Sequence, residues 1–174
     1  MGLVMGNIVL CGFMGCGKTT VGIALARAFN FTFVDMDEYI VDKAGIGIPE
    51  IFERRGEEHF RALESQAAAE LCRRDSLVIS TGGGAVLRPE NVSSFKSGGV
   101  IVFIDVPLDV IRQRLEGDCS RPLLNRSDKD IHMRELYEKR APGYLAAADI
   151  VVQNSENVPA EAVAEIIARR IAAL

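Results

Sequence analysis

A glycine-rich run that ends in lysine and threonine is the clearest chemical signal in the sequence. Residues 12–19 read GFMGCGKT and match the pattern G-x-x-x-x-G-K-[ST], in which backbone N–H groups surround the phosphates of a nucleoside triphosphate. Lys18 is expected to reach the β- and γ-phosphates, and the Thr19 hydroxyl to bind Mg²⁺. The alternative is a glycine turn that precedes a lysine by chance, and the β-prone segment before the run and the helical segment after it argue against this.

Two aspartates follow the second β-prone segment, at the end of a strand where parallel sheets collect their ligands. Asp35 and Asp37 are separated by one residue, so in an extended chain both side chains point the same way. One carboxylate near magnesium and one near an acceptor hydroxyl would suit a kinase. Helix capping by Asp37 is the alternative, because aspartate is a common N-cap and a helical stretch follows. Ser80, at the end of the third β-prone segment, could hold a magnesium-bound water or only terminate a strand.

Short apolar segments alternate with amphipathic ones, and these elements must position the residues above. The β-prone segments span 7–11, 31–34, 77–80, 100–105 and 149–152. Helical periodicity covers 18–29, 37–74 with breaks at its glycines, a helix opened by Pro107, 131–148 with an interruption at Pro142 and Gly143, and 159–174. This alternation predicts an α/β fold with a parallel sheet covered by helices on both faces. No repeat or linker divides the sequence, so we expect one domain over residues 1–174.

Bulk properties exclude several classes of protein. The 174 residues are 48% hydrophobic and 25% charged, which is typical of one globular domain. No apolar run is long enough for a membrane span, and the N-terminus lacks the features of a signal peptide, so we expect a cytoplasmic protein. A net charge of −4 argues against a nucleic-acid partner. The four cysteines form no C-x-x-C pair and are expected to be reduced thiols.

Residues 117–129 differ from the segments around them. They carry charges, two arginines and a proline, and they show no apolar period. A segment of this kind is typical of a surface loop. We therefore expect a mobile loop between the helix opened by Pro107 and the helix at 131–148.

Further motifs occur in an order that is characteristic of one kinase family. They are Asp35-Met36-Asp37, Phe60-Arg61 followed by Glu64, Gly82-Gly83-Gly84, Arg121-Pro122-Leu123-Leu124 and Lys139-Arg140-Ala141-Pro142. Together with residues 12–19 they resemble shikimate kinase over nearly the whole chain. The resemblance implies a nucleoside-monophosphate-kinase-like, three-layer α/β/α P-loop fold, with a five-stranded parallel sheet flanked by helices and a mobile lid. It also implies Mg²⁺-assisted transfer of a phosphoryl group from ATP to the 3-hydroxyl of shikimate, in aromatic amino-acid biosynthesis.

The residues that match the family pattern take definite roles under this resemblance. Catalysis is assigned to Lys18, Asp37 and Arg121, and Mg²⁺ binding to Thr19 and Asp35. ATP binding is assigned to Gly12, Gly15, Cys16, Gly17, Lys18, Thr19, Thr20, Arg114 and Arg121. Substrate binding is assigned to Asp37, Arg61, Gly82, Gly83, Gly84 and Arg140. The helical region at about 37–74 binds the substrate, and the lid at about 117–129 carries Arg121 over the transferring phosphoryl group. Arg61 and Arg140 hold the substrate carboxylate, and Glu64 braces Arg61. The implied partners are shikimate and ATP, and we expect a monomer.

Three alternatives remain open at this point. Arg61 and Arg140 could be ordinary surface arginines with buried stems, as is usual on amphipathic helices. A sibling kinase for another small sugar acid, such as gluconate, would share the phosphate loop and a carboxylate-binding arginine; the paired aspartates and the Arg-Pro-Leu-Leu motif argue against it. A nucleotide-dependent switch would use the same loop to report the γ-phosphate to a protein partner. Such a switch needs a large apolar partner surface in place of an acceptor pocket.

Overall fold

Strands and helices alternate as the sequence predicts. The structure, a computed structural model, describes residues 6–116, 129–155 and 158–174. The strands are β1 (Asn7–Cys11), β2 (Thr32–Asp35), β3 (Leu77–Ser80), β4 (Gly99–Asp105) and β5 (Ile150–Gln153). The helices are α1 (Lys18–Phe29), α2 (Met36–Ala44), α3 (Ile48–Leu71), α4 (Pro89–Gly98), α5 (Leu108–Arg114), α6 (Lys129–Ala147) and α7 (Ala160–Ile171), with a short 3₁₀ helix at Ala85–Leu87.

The sheet has its phosphate-loop strand in the centre. Its order is β2-β3-β1-β4-β5, and every described pair of neighbouring strands is parallel. Because the strands are parallel, their carboxyl ends meet at one edge; in the register, Ser80 aligns with both Leu10 and Asp35. The predicted fold class is confirmed, and the edge that carries the phosphate loop also receives the ends of β2 and β3.

The hydrophobic core lies on both sides of the central strand. All residues of β1 and β3 are buried, as expected for parallel strands covered by helices. Helix α1 packs against α7, and α3 packs against α2 and α4. At one point α1 approaches the sheet so closely that a Cβ on Gly22 would lie 2.5 Å from the ring of Phe33. A glycine at this position is therefore required by packing.

One long helical region agrees with the sequence prediction and another differs from it. The region predicted as 37–74 with breaks at its glycines forms α2 and α3, and α3 is interrupted at Gly56, whose φ of 80° is left-handed. Helix α6 continues through Pro142, so the predicted interruption at Pro142 and Gly143 is wrong. The glycine has a packing role there, because a Cβ on Gly143 would lie 2.4 Å from Leu87. Gly143 therefore permits a close contact between α6 and Leu87 of the 3₁₀ helix without ending α6.

The predicted loop at 117–129 lies outside the described residues, except that Lys129 begins α6. Arg121 is among the residues outside the description. Within residues 6–116, 129–155 and 158–174, the helices are too short or too polar to cross a membrane.

Asn7 joins three elements at the amino end of β1. Its side chain is buried, and Nδ2 donates to the carbonyl oxygens of Arg74 at 2.7 Å and Leu71 at 3.4 Å. Its Oδ1 accepts a bond of 3.0 Å from the backbone N–H of Leu77. One amide therefore ties the end of α3 and the start of β3 to the central strand.

We expect Asn7→Ala to lower the free energy of unfolding by about 2–4 kcal/mol, because it leaves the buried N–H of Leu77 without its partner and removes the amide that binds the Arg74 carbonyl. Urea unfolding monitored by circular dichroism measures this change. A loss below about 1 kcal/mol would show that water or a shifted backbone replaces the amide.

Candidate active site

The loop between β1 and α1 has the backbone conformation of a phosphate cradle. Gly12, Gly15 and Gly17 have positive φ values of 148°, 75° and 96°. A Cβ on Gly12 would also lie 2.7 Å from the Ile104 carbonyl oxygen. The N-cap of α1 is Gly17, which has no side chain that could accept a hydrogen bond. The first N–H groups of α1 are therefore not capped by an N-cap side chain. An uncapped helix N-terminus behind a glycine loop is a favourable site for a phosphate group.

Lys18 lies back over this loop. Its Nζ donates to the carbonyl oxygens of Gly12 at 2.8 Å and Phe13 at 3.2 Å. The Thr20 hydroxyl donates to the Gly17 carbonyl at 3.1 Å, which tightens the first turn of α1. The lysine charge is thus held at the loop, where a phosphate oxygen would be a stronger acceptor than a neutral carbonyl.

Asp35 ends β2 and is the N-cap of α2. Its Oδ1 accepts bonds from the backbone N–H groups of Asp37 at 2.9 Å and Glu38 at 3.3 Å. The capping role that the sequence left open for Asp37 therefore belongs to Asp35. The assumption that both aspartates lie in an extended segment is wrong, because the cap starts the helix at Met36. Asp37 instead occupies the first turn of α2.

An open cleft of about 320 Å³ brings most of the predicted site residues together. It is lined by Met14, Gly15, Gly17, Lys18, Thr19, Thr20, Asp35, Asp37, Ser80, Thr81, Gly82, Gly83 and Arg140. The phosphate loop forms one part of the lining, and the aspartates, the glycine segment and an arginine form another. A cleft with a cationic phosphate site beside carboxylates can hold a nucleotide and a hydroxyl acceptor at the same time.

The glycine segment 82–84 is surrounded by charged side chains. A Cβ on Gly82 would lie 2.8 Å from Asp37 Oδ1 and 3.0 Å from Glu64 Oε1. A Cβ on Gly83 would lie 2.9 Å from Nη1 of Arg140. Three successive glycines therefore allow the charged groups of α2, α3 and α6 to approach one stretch of backbone.

Arg61 lies beside this segment and is held by two carboxylates. Its Nη1 donates to Glu64 Oε2 at 2.5 Å and its Nη2 to Glu57 Oε1 at 2.9 Å. The bracing by Glu64 that the sequence predicts is observed. Burial raises the pKa of the Glu64 carboxyl above its usual value, Arg61 opposes this change, and the Asp37 charge adds to it. Arg61 is not among the residues that line the cleft; it approaches the segment at Gly84, where a Cβ would lie 2.7 Å from its Nη1.

Arg114 contacts both the phosphate loop and the segment that follows β5. Its guanidinium donates to the carbonyl oxygens of Gly15 at 3.3 Å, Cys16 at 3.5 Å and Ser155 at 3.1 Å. Cys16 itself is buried, so its contribution at this loop is made by the backbone. Arg114 therefore links the phosphate loop to the segment that follows β5.

Sequence reasoning missed two side chains at the site. Thr81 lines the cleft and donates its hydroxyl to the Leu10 carbonyl at 3.0 Å. Tyr144 is buried and donates its hydroxyl to the Gly83 carbonyl at 2.6 Å. The spacing of Arg140 and Tyr144, four residues apart on a helix, was a signal that both face the same element.

Comparisons with known proteins agree with this geometry. The family model for shikimate kinase matches residues 14–170. A shikimate kinase of Caldanaerobacter subterraneus subsp. tengcongensis is 42% identical over 163 residues, covering 94% of this chain and 95% of that protein. A shikimate kinase of Persephonella marina is 42% identical over 165 residues, covering 95% of this chain and 99% of its own length.

A solved structure gives the same result for the fold. The shikimate kinase from Acinetobacter baumannii, in complex with shikimate, matches with a TM-score of 0.89 and 37% identity, over 97% of this chain and 94% of that one. Family model, sequence relatives and fold all agree, and the chain therefore belongs to the shikimate kinase family.

Proposed function

We propose that this protein transfers the γ-phosphoryl group of ATP to the 3-hydroxyl of shikimate, with release of ADP, in the biosynthesis of aromatic amino acids. The observation that carries the proposal is the single cleft that joins the phosphate loop to Asp37, Gly83 and Arg140. Family membership supports the choice of shikimate over another sugar acid. A coupled assay of ADP release across a panel of hydroxy acids tests it, and turnover of gluconate in preference to shikimate would overturn it.

The donor side of the reaction is assigned to the phosphate loop. We infer that Lys18 exchanges its two carbonyl acceptors for phosphate oxygens, since charged acceptors form the stronger hydrogen bonds. Phosphoryl transfer through a loose transition state depends mainly on positioning and positive charge. Lys18 and the N–H groups at the start of α1 supply that charge. Arg114 supports the loop from behind, and Arg121, predicted to act from the lid, lies outside the described residues.

The oxygen donors beside the loop fit Mg²⁺. Thr19 and Asp35 line the same cleft, and both capping bonds of Asp35 use Oδ1, which leaves Oδ2 out of the cap. Mg²⁺ prefers oxygen ligands and binds through few protein groups, together with substrate phosphates and water. We therefore propose that Thr19 holds Mg²⁺ directly and Asp35 through water. When bound, the ion neutralises charge on the β- and γ-phosphates.

The acceptor side is assigned to Asp37 and the two arginines. We propose that Asp37 accepts a hydrogen bond from the attacking hydroxyl and orients it; a strong base is not needed for this reaction. Arg140, in the cleft, and Arg61, beside the glycine segment, are proposed to bind the carboxylate of shikimate. A guanidinium offers a planar pair of donors that matches a carboxylate. Glu64 and Glu57 fix the plane of Arg61.

We expect Arg61→Lys to raise the KM for shikimate by roughly tenfold or more and to leave the KM for ATP nearly unchanged, because lysine keeps the charge but loses the planar donor pair. Steady-state kinetics with each substrate varied in turn measures both constants. Arg54→Lys is the matched control, since Arg54 lies on the same helix and pairs with Glu50 at an exposed position.

A neutral amide analogue of shikimate separates carboxylate recognition from a folding defect. It should be a poor substrate of the parent enzyme, and Arg61→Lys should weaken its use less than that of shikimate. Equal losses for acid and amide would refute the carboxylate role of Arg61.

We also propose that the protein acts as a cytoplasmic monomer. The mass from light scattering on the purified protein tests the oligomeric state.

A further inference from the structure

The hydroxyl of Tyr144 makes a hydrogen bond to the glycine segment that the roles proposed so far do not use. It lies on α6, its side chain is fully buried, and its hydroxyl donates to the Gly83 carbonyl at 2.6 Å. Its ring packs against Phe103 of β4, with centroids 5.4 Å apart. The ring is therefore fixed by the core while the hydroxyl reaches the lining of the cleft.

The glycine segment has no side chains of its own that could hold it. The carbonyl of Gly82 accepts a bond from the backbone of Ala85 at 3.2 Å, and that of Gly84 from Leu87 at 3.1 Å. The carbonyl between them, at Gly83, instead accepts its bond from Tyr144. The Tyr144 bond therefore holds the one carbonyl of the segment that accepts no hydrogen bond from the 3₁₀ turn. This bond should be important for order, because glycine has the largest conformational freedom to lose.

Arg140 meets the same glycine from the same face of α6. Arg140 and Tyr144 are four residues apart, which places them side by side on a helix. A Cβ on Gly83 would lie 2.9 Å from Nη1 of Arg140 and 3.6 Å from Oη of Tyr144. The position of Gly83 and the position of the cleft arginine are therefore linked through this tyrosine.

We propose that Tyr144 is a positioning residue for the acceptor: by holding the Gly83 carbonyl beside Arg140, it sets the geometry in which the glycine segment and the arginine receive the acceptor. The inference rests on the proposed function and adds a residue to it. Tyr144 does not touch the acceptor; it acts through Gly83 and Arg140.

The hydroxyl can donate throughout the working pH range. Burial raises the pKa of Tyr144 to about 12, although the nearby Arg140 charge opposes the change. The phenol therefore stays protonated at neutral and mildly alkaline pH. Loss of the bond in a variant then reports on positioning, with no contribution from titration of this group.

The test compares Tyr144→Phe with the parent enzyme. Removal of the hydroxyl keeps the buried ring, so we expect the KM and Kd for shikimate to rise about five- to tenfold, with kcat and the KM for ATP within about twofold of the parent. Titration calorimetry with shikimate gives the Kd separately from the stoichiometry, so a partly unfolded variant would still report the affinity of its folded fraction.

Tyr137→Phe is the matched control. Tyr137 lies on the same helix, and its hydroxyl donates to Asp105 at 3.2 Å, away from the glycine segment. An equal rise of the shikimate KM in both variants would overturn the proposal, because the effect would then come from α6 packing in general. Tyr144→Phe with unchanged shikimate affinity, or with only kcat reduced, would also overturn it. A parent enzyme that does not phosphorylate shikimate would instead refute the proposed function.

Discussion

Lys18→Ala is expected to reduce kcat by roughly 10²- to 10³-fold while the protein stays folded, because the lysine supplies charge to the transition state of phosphoryl transfer. The Nζ donates to two carbonyls of the loop itself, and neither bond ties the loop to the core. Stability should therefore change little. The ADP-release assay measures the rate, and thermal unfolding followed by circular dichroism measures the fold.

Lys43→Ala is the control for this prediction. Lys43 pairs with Glu70 at an exposed position between α2 and α3, and surface ion pairs contribute little to stability. Its removal should leave turnover unchanged. Equal activity of Lys18→Ala and the parent would remove the phosphate-loop assignment altogether.

Asp37→Asn should lower kcat by roughly 10²-fold or more with little change in the KM for ATP. The amide retains the shape of the carboxylate but lacks its charge, so it forms a weaker hydrogen bond to the attacking hydroxyl and orients it less well. Pre-steady-state mixing of enzyme, ATP and shikimate measures the chemical step directly. If ATP affinity fell instead, Asp37 would belong to the metal site.

Asp35→Asn is the natural comparison, because the two aspartates are neighbours with different assigned roles. Asparagine is as good an N-cap as aspartate, so α2 should be retained. The loss of charge next to the phosphates should raise the Mg²⁺ concentration needed for half-maximal rate. Asp37→Asn should leave that concentration unchanged, and a common shift in both variants would show that the two roles are not separate.

The sequence predicted the donor side more completely than the acceptor side. Residues 12–19 are contiguous, and their positions follow from a strand, a glycine turn and a helix, which are all local features. The acceptor side joins α2, α3, the segment at 82–84 and α6 through contacts between distant parts of the chain. Only the family resemblance pointed to Arg61 and Arg140, and their positions beside the glycines became visible in the tertiary structure.

The errors of the sequence prediction have specific causes. Pro142 and Gly143 normally disfavour a helix interior, but α6 continues through them. The paired aspartates looked like one extended motif, whereas the cap formed by Asp35 turns the chain into a helix immediately. The spacing of Tyr144 from Arg140 was the one signal for it, and a buried tyrosine on a helix is more often only a core residue. Its importance comes from the glycine carbonyl that lies opposite.

The break in α3 at Gly56 divides the helix into two parts that should differ in their tolerance of amino-acid substitutions. A Cβ on Gly56 would meet no atom within 4 Å, so the backbone turn, and not crowding, requires glycine there. Arg61 and Glu64 lie after the break, on the part that Asn7 anchors at its far end. Residues 48–55 are therefore separated by a backbone turn from the arginine that is proposed to bind the carboxylate, and exposed positions among them, such as Arg54, should accept substitution without displacing it.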